Sequence, residues 1–270
     1  MGLPPGVHVD VHPPTGDAAL GARPPATVVL VHGSLDRGDS FGRTRRRLGD
    51  LRVVTYDRRG YARSRGGGTT GLAGHAEDLL AIAGDVAQGD PVCAVGHSFG
   101  GDVVLAAALA RPDAFAAVGA YEPPMPWLGI HRPGPRPAPP GPEVDPGLEA
   151  EEFFTRMVGP GSWAHLTEAQ RSERRADGPA LVEDMRAFRG AVPFDVTELA
   201  DPLVVGRGGR SRPHHREVVA WLVERIPGTR LVEIDGAGHG AHLSHPDHFA
   251  AFVEAVVVAG SRTALAEGRP

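Results

Sequence analysis

An α/β architecture, a mostly parallel sheet covered by helices on both faces, is what this sequence of 270 residues predicts. Three observations carry the prediction. Short β-branched runs recur along the chain, each stopping at a glycine, histidine or acid. Most of those runs are continuously apolar rather than alternating, as strands buried on both faces are. Helical patterns fall between them, and strand–helix alternation implies parallel strands joined by crossovers.

In chain order, Val7-His8-Val9-Asp10-Val11 alternates and reads as an edge strand. Val28 to Val31 stops at His32-Gly33, and Val53 to Tyr56 stops at Asp57. Leu72 to Val86 is a helical pattern weakened by Gly74 and Gly84. Val92 to Val95 stops at Gly96, and the Ala/Leu/Val-rich helix Asp102 to Ala110 ends at Arg111-Pro112. Phe115 to Tyr121 stops at Glu122-Pro123-Pro124. Leu203 to Val205 and Leu231 to Ile234 are two further runs; Val218, Val219, Leu222, Val223 and Ile226 recur between them at helical spacing. Phe249, Phe252, Val253 and Val256 repeat that spacing, with Pro246 placed to open the helix. The tail beyond about residue 260 is expected to fray.

One stretch breaks the rhythm. Residues 123–146 hold ten prolines, which suits neither helix nor strand. Two amphipathic patterns follow: Ala150, Phe153, Phe154, Met157 and Val158, then Leu181, Val182, Met185 and Phe188 after Pro179. Residues 123–195 therefore read as an insertion over the sheet, a proline-rich loop and helical cap. The core is then 1–122 with 196–270.

Composition excludes several functions. The formal charge is −5, so no electrostatic case for nucleic acid exists. All 28 basic residues are Arg, which removes P-loop, Schiff-base and kinase-type lysines. The single Cys93 lies in an apolar run and permits neither an internal disulfide nor a Cys-rich zinc site. No apolar segment is long enough for a membrane span, and the first residues lack a signal-peptide pattern, so the cytoplasm is the expected location.

The strongest chemical signal is Gly96-His97-Ser98-Phe99-Gly100-Gly101, between a buried strand and a helix. A serine on so sharp a turn needs small residues two before and two after it, and the turn lifts its hydroxyl clear of the sheet edge. His32-Gly33-Ser34 follows an earlier strand. A turn there can aim the Ser34 amide at the same point, and with the Phe99 amide it makes a two-donor oxyanion hole. Gly238-His239-Gly240 follows the last strand and offers a base; serine needs one to become a nucleophile. His239, His242, His245 and His248 recur every third residue. As a zinc site the repeat is weak, since Pro246 interrupts any single helix and no carboxylate or cysteine completes a familiar pattern. Neither metal nor organic cofactor is expected, and the partner is a small-molecule substrate.

These features, with Asp57-Arg58-Arg59-Gly60-Tyr61-Ala62-Arg63-Ser64 between them, resemble the α/β-hydrolase fold family in order and across nearly the whole chain. The resemblance implies a central eight-stranded sheet and a cap inserted after the sixth strand. It also implies Ser98 as nucleophile, His239 as base, Ser34 and Phe99 as oxyanion donors, and a structural role for 57–64. The chain departs from the family where the acid usually stands: after Leu203 to Val205 it reads Gly206-Arg207-Gly208-Gly209-Arg210-Ser211. Glu122, at the end of the strand that follows the elbow helix, is an alternative acid. The resemblance there is to those haloalkane dehalogenases that carry their acid after the same strand, although their elbow nucleophile is Asp. Asp235 is a second candidate, and a Ser–His dyad a third arrangement. The activity implied is hydrolysis of a small or medium acyl substrate, a carboxylic ester foremost. A C–C or thioester-cleaving or non-hydrolytic enzyme of the fold, or a non-catalytic binding member, is the alternative.

Overall fold

The computed structural model describes residues 2–15, 26–87, 92–130, 138–159, 161–200 and 202–266. Strands β1 (Val9–His12), β2 (Thr27–Val31), β3 (Arg52–Tyr56), β4 (Val92–His97), β5 (Ala117–Tyr121), β6 (Leu203–Gly208) and β7 (Arg230–Ile234) form one sheet in the order β1-β3-β2-β4-β5-β6-β7. Only β1 is antiparallel.

Side chains alternate across the sheet, and both sets are buried. Val29, Val31, Ala94, Val118 and Val205 face one core; Val28, Leu30, Val95, Ala117 and Val204 face the other. The first core is closed by α2 (Leu72–Ala87), α3 (Phe99–Ala110) and α7 (Pro213–Arg225). The second is closed by α9 (Pro246–Ala266) and by Phe41 and Leu48, which flank the short α1 (Gly42–Arg45). This two-sided burial is why the strands read as unbroken apolar runs.

Three expectations need correction. Among the described residues the sheet has seven strands, not eight. Pro4 and Pro5, ahead of β1, have no N–H to give a further ladder, and Gly6 turns the chain at φ 72. Strand β7 is not buried on both faces: it is the outer edge, and Leu231 is 38% exposed. The tail does not fray at 260, because α9 continues to Ala266, with Gly260 close against Ala116.

Between β5 and β6 stand α4 (Pro146–Val158), α5 (Glu168–Ala176) and α6 (Gly178–Arg189). The proline-rich segment partly lies outside the described residues, at 131–137. Helices α4 and α6 share a small apolar cluster of Ala150, Leu181 and Met185 with Leu35 of the core. Helix α5 buries no residue. It forms through a capping box, in which the Thr167 side chain accepts from the Gln170 amide and the Gln170 side chain accepts from the Thr167 amide. Its ties to neighbouring elements are polar: ion pairs of Arg37 with Glu173 and of Arg175 with Glu151 of α4, and a hydrogen bond from Arg174 to the Leu35 carbonyl at 2.6 Å. Among the described residues no helix is long and apolar enough to cross a membrane.

Asp102, in the first turn of α3, is fully buried. Burial pushes its carboxyl well above the usual carboxylate range, so the fold holds it as a neutral acid. The unfolded chain ionises it at the ordinary value. Stability is therefore lost as pH rises from that value toward the raised one. Asp102→Asn should flatten the decline of the thermal midpoint between pH 4 and pH 8. An unchanged slope would assign the decline to other groups.

Candidate active site

Ser98 sits between β4 and α3 with φ 54 and ψ −127, a left-handed conformation that a non-glycine residue rarely adopts. Its amide donates to the Tyr121 carbonyl at 2.9 Å and its carbonyl accepts from Gly101 at 2.7 Å, which hold the turn. A Cβ on Gly96 would run into the Gly100 backbone, and one on Gly100 into the Val31 carbonyl. The glycines flanking the serine are thus steric requirements of the turn.

Strand β5 lies beside β4 with His97 paired to Tyr121, so Glu122 follows Tyr121 as Ser98 follows His97. Glu122 also has left-handed backbone, φ 48, and is fully buried. Its Oε2 lies 2.7 Å from His239 Nδ1, and its Oε1 accepts from the Gly208 amide at 2.7 Å. A carboxylate oxygen accepts, so Nδ1 is the donor of this contact and Nε2 faces away from Glu122. The His239 loop is pinned from below. His97 Nε2 donates to the His239 carbonyl at 2.8 Å, and the Tyr121 hydroxyl to that of Gly238 at 3.1 Å. The segment 206–209 contributes an amide in place of a carboxylate. Asp235 stands exposed in the turn after β7.

The turn after β2 is held just as firmly. Arg58 is fully buried: its Nε donates to the His32 carbonyl at 3.0 Å and its Nη2 to the Gly33 carbonyl at 3.1 Å. The Arg58 amide donates to His32 Nε2, and His32 Nδ1 donates to the Gly33 carbonyl. Burial, helped by the Arg58 charge, brings the His32 pKa down to about 4, so it is neutral. The other end of Arg58 forks onto both oxygens of Asp184, a buried residue of α6, at 2.8 and 3.1 Å. Asp184 Oδ2 also accepts from the Ser34 and Tyr61 hydroxyls, each at 2.6 Å. Burial alone would raise this carboxyl; Arg58 outweighs it and holds the group well below the usual range.

The sequence matches the alpha/beta hydrolase family over residues 28–252. The chain belongs to the alpha/beta hydrolase family. Lipase LipV of Mycobacterium tuberculosis is 33% identical over 118 residues, 43% of this chain and 41% of that one. Polyketide synthase ThaQ of Burkholderia thailandensis is 32% identical over 210 residues, 68% of this chain and 9% of that one. The chain thus spans less than half the length of either relative. Among solved structures, a thermophilic esterase from Thermogutta terrifontis superposes with TM-score 0.64 at 19% identity, covering 94% of this chain and 93% of that one. That likeness speaks to the fold alone.

In this alpha/beta hydrolase two cavities, about 340 and 350 Å³, share Ser34, Ser98, Phe153 and Met157 on their walls. Phe154 lines one and Phe188 the other. Met125, Trp127 and Trp163 are buried packing residues; Trp163 stacks edge-on against Phe154 at 5.6 Å. Cys93 is core, its thiol pushed up to about 12 by burial. The sequence reading missed two residues at the site. His215 of α7 stacks on His239, with ring centroids 4.1 Å apart and planes at 12°; nothing local in the sequence marks it. Asp184 had a signal: it is a carboxylate on the apolar stripe that runs through Leu181, Met185 and Phe188.

Asp184→Asn leaves the Arg58 charge buried without its counterion. The expected loss in a urea titration is about 3–5 kcal/mol. Arg58→Met with Asp184→Leu should lose less, since no charge is then stranded. A smaller loss for the single variant would contradict this account.

Proposed function

We propose that this protein is a serine hydrolase that cleaves a small or medium acyl substrate, a carboxylic ester foremost, through an acyl-enzyme on Ser98. The observation that carries the reading is the 2.7 Å contact of buried Glu122 with His239 Nδ1, beside a serine in the strained elbow conformation. With Nδ1 engaged, His239 Nε2 takes the Ser98 proton as Oγ attacks the substrate carbonyl. The oxyanion collects the amides of Ser34 and Phe99, donors that act on charge present only in the transition state. The imidazolium faces the Glu122 carboxylate, then passes its proton to the departing alcohol. Water deprotonated by His239 attacks the acyl carbon, and Ser98 recovers its proton as the carboxylic acid leaves.

Substrate shape follows from the cavities. Ser98 on the shared wall of two cavities suits a bond with a substantial group on each side. Phe153, Phe154 and Phe188 suit apolar groups. Residues 123–195 act in this reading as a cap that supplies those rings.

A fluorophosphonate should add once per chain by intact mass, and the adduct should vanish in Ser98→Ala. No adduct on folded protein would overturn the reading. On p-nitrophenyl esters of graded chain length, Glu122→Gln should lower kcat on the order of 10³–10⁴-fold with an unchanged circular dichroism spectrum. Near-normal turnover would remove Glu122 from the mechanism.

A further inference from the structure

We propose that Asp36, His97 and His242 form a binding site for a divalent transition-metal ion, zinc in chemistry, in the wall of the cavity that holds Ser98. The three residues come from far-apart parts of the chain: the turn after β2, the end of β4, and the short helix α8 (Ala241–Ser244). One ligand atom from each lies within 4.8 Å of the other two, and all three residues line that cavity.

Unpartnered nitrogens point to a ligand. His242 is 2% exposed, yet neither of its ring nitrogens has a hydrogen-bond partner. His97 is also buried, and its Nδ1 has none. Buried polar atoms are nearly always satisfied, so several orphaned imidazole nitrogens beside a carboxylate call for an acceptor of lone pairs. His242 Nε2 lies 3.4 Å from Asp36 Oδ2. That is longer than a charge-assisted hydrogen bond but close to the separation of roughly 3.3 Å between two ligands of tetrahedral zinc. Outer bonds of the kind that steady metal ligands are present too. Ser40 Oγ donates to Asp36 Oδ2 at 3.0 Å, and His97 Nε2 to the His239 carbonyl. Two imidazoles and a carboxylate suit zinc or cobalt, and the cavity side leaves a fourth position open.

A second cluster, Glu122, His215 and His239, has similar spacing. His215 Nδ1 is unpartnered there, but both Glu122 oxygens and His239 Nδ1 already make hydrogen bonds. The sequence hid the first cluster because the carboxylate that completes His242 lies at position 36.

The ring of His97 lies 4.7 Å from that of His239, centroid to centroid. A dication there opposes the positive charge His239 gains in turnover, so the ion inhibits; this clause rests on the proposed hydrolysis. The binding test does not. Metal-free full-length protein is titrated with Co²⁺, read by equilibrium dialysis and visible absorption. One equivalent with an intense tetrahedral-type band is expected. Asp36→Asn and His242→Asn should each weaken binding at least about tenfold, while His215→Asn leaves it intact. Circular dichroism checks each fold, and half-buried Asp36 serves if the His242 variant does not fold. Absence of a stoichiometric site overturns the proposal, as does binding that is lost in His215→Asn. In ester assays, micromolar Zn²⁺ should lower kcat, and Asp36→Asn should be less inhibited relative to its own metal-free rate. Equal inhibition of both would show that the ion acts elsewhere.

Discussion

Parallel register across β2, β4, β5 and β6 is the constraint from which the site follows. Strands that run the same way end at the same edge, and their loops converge there. Val31 pairs with Gly96, His97 with Tyr121, and Tyr121 with Gly206. Ser98 and Glu122 therefore leave neighbouring strands at one level, and the 206–209 segment leaves the next. A carboxylate on β5 reaches the imidazole as readily as one on β6 would, provided something orients it. The Gly208 amide does this through Glu122 Oε1. The segment without an acid holds the Glu122 carboxylate instead of carrying one.

The turn at 57–64, structural by the family resemblance, is also where the segment between β5 and β6 docks. Arg58 grips the 32–34 turn with one side of its guanidinium and Asp184 of α6 with the other. Arg65 and the Ala62 amide meet Asp177, a second buried acid of that segment. Removing ions from water costs several kcal/mol each, so such pairs contribute more to a single geometry than to raw stability. Displacing α6 would strip the Ser34 hydroxyl of its acceptor and leave Arg58 uncompensated. The position of α6 and the shape of the 32–34 turn are thereby one structural variable.

What was legible in the sequence is what is local. The apolar runs revealed the strands because both faces of each are buried; β7 misled because an edge strand can carry the same residues. The elbow was legible because Gly96 and Gly100 admit no side chain. Glu122 was legible only by default, through the missing acid near Gly209. His215 and the Asp36–His242 pairing were not, since each depends on a partner supplied by tertiary contact; Asp184 showed only as a carboxylate on the apolar stripe of α6. Helix α5 escaped for the opposite reason: it has no apolar stripe, and only Thr167 and Gln170 announced it.

That polar helix makes one part of the molecule answer to its solvent differently from the rest. The sheet and its two cores are held by buried apolar area, which added electrolyte leaves intact. Helix α5 is tied to its surroundings in large part by half-exposed Arg–carboxylate pairs, Arg37–Glu173 and Arg175–Glu151, which added salt weakens. Amide exchange in α5 should therefore quicken with sodium chloride while α3 and α9 stay protected. Ionic strength therefore acts on α5 more directly than on the two cores.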